Sequence, residues 1–218
     1  TATTLKAHSN VAAPHDIVGG QVRAIENMSV DPVASAGAVW SSVSDMAKWM
    51  QFLLDGGRAG GSGRQQLISD ATFAELFKPQ TIAPFEMYPT TSVVKPHWMT
   101  YALGWFQQDY RGRAVDFHTG SIDGMTAIHG LMRDDRLGVY VLANLDHAEL
   151  RHALMYTVFD RYMGAPARDW SGELLKLYTG IRRQADEARE KEESMRVHGT
   201  TPSLPLAMTL AVLNLGLT

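Results

Sequence analysis

Apolar positions change their period twice along the 218 residues, and each change marks a stretch with a different expected structure. Residues 1–37 show no sustained period. Pro14, Gly19-Gly20 and Pro32 interrupt short apolar pieces such as 16–24, which predicts loops with a short strand or two. Met46, Trp49, Met50 and Leu53 then recur at i, i+3, i+4 and i+7. That spacing predicts a helix opened by Ser44-Asp45, stopped by Gly56-Gly57 and buried along one face. After a turn at 60–63, Ser69 is placed to cap a second short helix ending near Phe77, with Pro79 just beyond it. Residues 79–99 carry Pro79, Pro84, Pro89 and Pro96 among aromatic residues, which predicts a long irregular loop.

From Tyr101 the period becomes two. The runs 101–109, 113–119, 125–133 and 137–143 have strand length and are joined by Arg111-Gly112, by residues 121–124 and by Asp134-Asp135-Arg136. Connections this short join only antiparallel neighbours, so the unit is expected to be a meander. The last run is apolar on both faces and is expected to be a central, covered strand. Helical spacing returns over 147–163, where Leu150, Ala153, Leu154, Thr157, Val158 and Tyr162 form the stripe expected to lie on the sheet, closed by Gly164 and Pro166. A long helix is expected from Trp170 to about Arg196, with Leu174, Tyr178, Ile181, Ala185 and Ala188 as a narrow seam. Within it Arg182, Arg183, Arg189, Lys191 and Arg196 balance Asp186, Glu187, Glu190, Glu192 and Glu193. A net of zero favours a solvated helix with pairs such as Glu187 to Lys191 over a nucleic-acid arm.

Composition excludes several function classes. Aliphatic and aromatic residues at 45% and charged ones at 20% are globular values, and the net charge of −3 gives no electrostatic case for nucleic acid or an anionic membrane. The absence of cysteine removes disulfides, thiolate zinc sites and a cysteine nucleophile. No apolar run reaches the roughly 18 residues of a spanning helix; the longest, 204–217, is broken by Pro205, Thr209, Asn214 and Gly216. Thr1 stands first in place of Met, so the chain reads as processed or partial. His147 and His152 are five apart, about 140° around a helix, so with Glu149 they read as exposed helix residues and not as a zinc pair. His129 reads as a packed strand histidine, and the methionines, Met28 and Met87 among them, as core filler.

Chemistry concentrates at one strand end, Phe117-His118-Thr119-Gly120-Ser121-Ile122-Asp123-Gly124. It offers an imidazole, a hydroxyl, a position free of side chain and a backbone N–H. Gly120 lets a substrate lie against the strand, and the Ser121 N–H is suited to a developing oxyanion. As three residues only, His-Thr-Gly fits a strand end with a capping threonine and a turn glycine better than it fits a site. Trp98 and Tyr101, at the end of the proline-rich stretch, fit either a wall of a substrate cleft or ordinary core packing.

Five blocks in fixed order extend the motif. They are Gly37-Ala38-Val39-Trp40 continuing to Trp49, Leu53-Leu54-Asp55-Gly56-Gly57, Leu103-Gly104-Trp105-Phe106, His118 to Met125, and Leu137-Gly138-Val139-Tyr140-Val141-Leu142-Ala143-Asn144. Together they resemble the C-terminal half of the serine β-lactamase family, which groups class C β-lactamases, D-alanyl-D-alanine carboxypeptidases and related penicillin-binding proteins and esterases. The resemblance implies an α+β fold of the β-lactamase/transpeptidase-like kind, an antiparallel sheet flanked by helices. Residues 1–165 would be a partial domain of that kind, 166–201 a charged linker helix, and 202–218 the start of a truncated or altered C-terminal segment. It further implies a serine hydrolase acting through an acyl-enzyme on a small-molecule or peptide substrate. No cofactor and no metal are implied, and the setting would be bacterial, periplasmic or secreted.

The same resemblance assigns roles. In the family, Ser-x-x-Lys, Tyr-x-Asn and a Lys-Thr-Gly or His-x-Gly strand make the site. Only the third element stands here, as His118, Thr119 and Gly120. By resemblance the Ser121 N–H serves the oxyanion hole, Thr119 hydrogen-bonds substrate, and His118 replaces the lysine of penicillin-specific members. A histidine is largely neutral near pH 7, which leans towards esterase or peptidase activity. Ser92-Val93-Val94-Lys95 is the one literal Ser-x-x-Lys, but Pro96 follows it and it lies on the wrong side of the family order; no Tyr is followed two residues later by Asn. The nucleophile and general base are therefore expected upstream of Thr1, and the chain alone is expected to be inactive. The alternative is a non-catalytic module that holds peptide or cell-wall fragments on the strand edge.

Overall fold

Gly19-Gly20 turns the chain back on itself, so the apolar piece at 16–24 becomes a hairpin of β1 (His15–Val18) and β2 (Gln21–Ala24). The structure is a computed structural model that describes residues 5, 7–60, 65–146 and 149–196. A short helical turn, α1 (Ala34–Gly37), precedes α2 (Val43–Leu54). The cap of α2 is Ser42 and not Ser44: its backbone is extended, and its hydroxyl accepts the Asp45 N–H at 3.1 Å. Met50 and Leu53 are buried as the spacing requires, whereas Trp49 stays exposed at the edge of that face. After the two-residue strands β3 (Arg58–Ala59) and β4 (Gln65–Gln66), Ser69 caps α3 (Asp70–Leu76) through the Thr72 N–H at 3.1 Å.

The proline-rich stretch holds more structure than a loop. It contains β5 (Thr81–Ile82) and α4 (Thr91–Val94), because its prolines fall between elements and not inside them. Ser92 and Lys95 sit in and just after α4, where the Ser92 hydroxyl donates to the Pro89 carbonyl at 2.7 Å.

The run expected at 101–109 is two strands, β6 (Met99–Tyr101) and β7 (Phe106–Tyr110). Gly104, at φ +83°, makes the reversal, with the Ala102 N–H donating to the Trp105 carbonyl at 2.8 Å. Next come β8 (Arg113–Ile122), β9 (Met125–Met132) and β10 (Leu137–Ala143). Pairing runs β10-β9-β8-β7-β6-β5, antiparallel throughout, which is the expected meander. Among the described residues β10 ends the sheet and is not central. Its apolar character on both faces reports that helices cover both faces, not that strands flank both edges.

Two helices complete the order, α5 (Leu150–Tyr162) and α6 (Trp170–Ser194). One sheet face, with Val115, Phe117, Ile128 and Met132, packs against Ala153, Met155, Tyr156 and Phe159 of α5 and Trp170 and Leu174 of α6. The alternate residues of the strands, Leu131 among them, pack against Met50, Leu53, Phe77 and Trp105. Met99, Met132 and Met155 fill core as expected, but Met28 and Met87 are exposed.

The orientation of α5 reverses the expected one. Leu150, Leu154, Val158 and Tyr162 are 39–54% exposed, and the buried side is Arg151, His152, Ala153, Met155, Tyr156, Phe159 and Asp160. Apolar residues nearly encircle this helix, and Arg151 and Asp160 on its buried side find hydrogen-bond partners while His152 lies against Glu149 at 3.2 Å, so hydropathy alone selects the wrong stripe. Leu154→Lys is accordingly expected to change the unfolding free energy of this chain by less than about 0.5 kcal/mol in urea denaturation.

The chain divides into two units, Thr1–Tyr178 and Thr179–Thr218. In the second, α6 is exposed and carries ion pairs such as Arg183–Glu187 and Asp186–Arg189; Glu187 thus pairs one turn back and not with Lys191. The expected segment 202–218 lies outside the described residues.

Candidate functional site

β8 is ten residues long and β7 only five, so β8 outruns its neighbour. Pairing with β7 stops at Phe106↔Phe117, whereas pairing with β9 continues to Ile122↔Met125. Both hairpins close through two-residue turns, Arg111-Gly112 and Asp123-Gly124, and the pair flanking such a turn exchanges both backbone hydrogen bonds. It follows that even-numbered residues of β8 direct N–H and C=O towards β9 and odd-numbered ones towards β7. Thr119 and Ser121 therefore aim their N–H groups at an edge that no described strand occupies. Gly120 and Ser121 are exposed there.

His118 faces away from α5 and stands opposite His129 in the ladder, the rings 6.5 Å apart. The Tyr101 hydroxyl lies 3.3 Å from His118 Nε2, so β6 brings Tyr101 to this point. Burial lowers the His118 pKa, which keeps the ring neutral at physiological pH. His129 stacks on Trp105 at 4.4 Å and meets Tyr140 edge-on at 5.6 Å; burial first, and then the His118 charge, push its pKa down to about 4.

The other expected residues fall in different places. Thr119 alternates onto the α5 face with Phe117, and its hydroxyl is buried with no hydrogen-bond partner among the described residues. Trp98 lies beside Asp109, to which its N–H donates at 3.2 Å. Asp109 pairs with Ala114, four residues and about 13 Å along β8 from His118, so Trp98 is not brought to the His118 end.

Two supports hold the strand end. Gly124, at φ +75°, admits the N-terminal segment so closely that a Cβ would lie 2.5 Å from the Pro14 side chain, and the His15 N–H donates to its carbonyl at 3.2 Å. Asn144 ties the same segment down through the Ala13 carbonyl at 2.9 Å. On the other side Arg151, only 7% exposed at the first turn of α5, donates from Nη1 to the Gly120 carbonyl at 2.8 Å and to the Ser121 hydroxyl at 2.9 Å. Glu149 lies against Nη2 of Arg151 at 3.4 Å and against Nδ1 of His152 at 3.2 Å. His152 is 1% exposed, which corrects the expectation of exposed helix residues; His147 lies outside the described residues. Contacts spanning thirty residues leave no periodic trace, so nothing in the sequence singles out Arg151. Among the described residues no group of three or more His, Asp or Glu side chains is arranged to hold a metal ion.

A meander whose outrunning strand carries His-Thr-Gly, covered by helices on both faces, defines the α+β, β-lactamase/transpeptidase-like class of fold. Residues 2–160 match the Beta-lactamase family, and the chain belongs to it. An unguisins hydrolase of Aspergillus campestris is 30% identical over 83% of this chain and 31% of its own length. A second unguisins hydrolase, from Aspergillus violaceofuscus, is 30% identical over 63% of this chain and 25% of its own. The octameric penicillin-binding protein homologue of Pyrococcus abyssi shares the fold, with a TM-score of 0.58 and 17% identity over 75% of this chain and 33% of its own. The chain thus spans between a quarter and a third of the length of these relatives. No helix among the described residues is long and apolar enough to cross a membrane.

Proposed function

We propose that this chain supplies the substrate-binding strand of a serine hydrolase that cleaves an ester or peptide bond, with the Ser-x-x-Lys and Tyr-x-Asn elements contributed from outside these 218 residues. The observation that carries the proposal is the edge of β8 that no described strand occupies, where the Ser121 N–H points outward beside a neutral His118. A carbonyl laid on that edge would place its oxygen at the Ser121 N–H. The serine oxygen bonds to the carbonyl carbon as its proton passes to the general base, and the C=O π electron pair moves onto the carbonyl oxygen. Collapse expels the alcohol or amine, which takes up a proton, and water then releases the acid. Tyr101 would sit beside His118 in binding the acyl part, and Thr119 and Gly120 would line the strand. A neutral imidazole where penicillin-specific relatives carry a lysine favours esterase or peptidase substrates over carboxylate-bearing lactams. Membership of a hydrolase-containing family and two relatives named as unguisins hydrolases support hydrolysis at the level of class.

A fluorophosphonate probe tests the proposal. The full protein carrying this chain is expected to label covalently on a serine outside residues 1–218, and the 218-residue chain alone is expected not to label. Saturable, non-covalent binding by the full protein with no labelling would favour the non-catalytic module instead.

A further inference from the structure

The Gly120 carbonyl and the Ser121 N–H belong to one peptide unit. They point in opposite directions, the carbonyl towards the β9 side and the N–H to the open edge. Arg151 Nη1 donates to that carbonyl at 2.8 Å. We propose that Arg151 is a positioning residue that orients and polarises the Gly120–Ser121 peptide, making the Ser121 N–H a stronger, fixed donor to a substrate oxyanion. The inference rests on the oxyanion role proposed above for Ser121. A charged donor on a carbonyl draws electron density through the amide and strengthens the bond its N–H can make; Gly120 and Ser121 are exposed, but the guanidinium that makes the contact is itself only 7% exposed. Nη1 also holds the Ser121 hydroxyl at 2.9 Å, so two atoms of the segment are tied by one nitrogen. Glu149 and the buried His152 beside it fix the guanidinium from behind, and α5 has no freedom to withdraw it because Met155, Tyr156 and Phe159 anchor the same helix in the core. An arginine buried to carry packing only would not need its head group on the backbone of an exposed strand end.

The contact can be read without activity. Labelling the chain with carbonyl-13C glycine and 15N serine gives signals from two Gly-Ser pairs, Gly61-Ser62 and Gly120-Ser121, and Ser62→Ala identifies which is which. Arg151→Met is expected to move the Gly120 carbonyl and Ser121 amide proton signals upfield while the Gly61-Ser62 signal stays, and Arg151→Lys is expected to restore part of the shift. If Arg151→Met unfolds the chain, the unsubstituted protein still decides: a coupling across the hydrogen bond between the Arg151 Nη1 nitrogen and the Gly120 carbonyl carbon is expected, and its absence overturns the proposal. An unmoved Gly120-Ser121 signal in a folded Arg151→Met chain overturns it too. In the full protein, Arg151→Met is expected to slow fluorophosphonate labelling about 10- to 100-fold and Arg151→Lys less, the scale of weakening one oxyanion donor. Labelling at the unsubstituted rate would overturn the polarising role. Failure of the unsubstituted protein to label would instead count against the hydrolase itself, and the Gly120-Ser121 signal would still decide whether Arg151 holds the peptide.

Discussion

Replacing Asp160 by leucine is expected to lower the unfolding free energy by about 3–5 kcal/mol, a large part of the total for a domain of this size. The carboxylate is 5% exposed and accepts three hydrogen bonds: from the Tyr110 hydroxyl at 2.5 Å, from Arg111 Nε at 2.8 Å and from the Trp170 indole N–H at 2.8 Å. Burial pushes the Tyr110 pKa up to about 12, so its hydroxyl stays a donor at any working pH. These bonds join β7, its turn, the C-terminal end of α5 and the first residue of α6. Leucine fills the space but strands two donors, the indole N–H and the phenol O–H, each at about 1–3 kcal/mol, while the phenol oxygen still accepts from Arg111 Nε at 3.2 Å. Arg111 is 39% exposed and can turn to water, so its loss should cost least. Arg111→Gln is therefore expected to cost under about 1 kcal/mol, and Asp160→Asn, which keeps one acceptor, to fall between the two. Urea denaturation of the three variants checks the order. An Asp160→Leu chain within about 1 kcal/mol of the unsubstituted one would show that the network contributes little net stability.

Where sequence and structure agree, the signal was local. Period sufficed for α2, although its cap lies two residues before the expected start; the capping serine sufficed for α3, and connection lengths sufficed for the meander, because each depends on residues within a few positions of one another. The His118–Gly120 strand end and the Arg111-Gly112 turn were legible for the same reason, but the strand runs on to Ile122 and reverses at Asp123-Gly124, where a strand ending at Thr119 and a connection over 121–124 were expected. Where they differ, the deciding contact was remote. The buried side of α5 includes Arg151, His152 and Asp160, whose partners lie on β8, at Glu149 and on Tyr110, Arg111 and Trp170. Periodicity counts these residues as outward-facing, and nothing nearby in sequence corrects it. The end position of β10 was hidden in the same way, since burial of a strand's faces and pairing of its edges leave the same apolar run.

Acidification from pH 7 to pH 4 is expected to destabilise the fold by about 3 kcal/mol through His129 alone. The sign follows from which state takes the proton. An unfolded histidine protonates near pH 6.5, whereas His129 in the fold resists until about 4, because charging it would place a cation between the Trp105 and Tyr140 rings, out of water and facing His118. Between those values the unfolded chain binds a proton that the folded chain refuses. The stabilisation is thus complete above pH 6.5 and is lost as pH falls towards 4. Burial lowers His118 and His152 as well, so both add to the loss in the same direction. The ladder makes His118 and His129 dependent: with the rings opposed at 6.5 Å, protonating either disfavours the other. Two measurements separate this account from general acid denaturation by carboxylates. The ring proton of His129, followed by NMR, is expected to titrate well below the ordinary histidine value of about 6.5, and one titrating near pH 6.5 would refute it. His129→Gln, which carries no charge at any pH, is expected to flatten the stability profile between pH 6.5 and 4 even if the lost stacking on Trp105 lowers the plateau. Because His118 shares the strand end with Ser121, its own protonation, which burial displaces to lower pH, should weaken any binding there that needs a neutral imidazole.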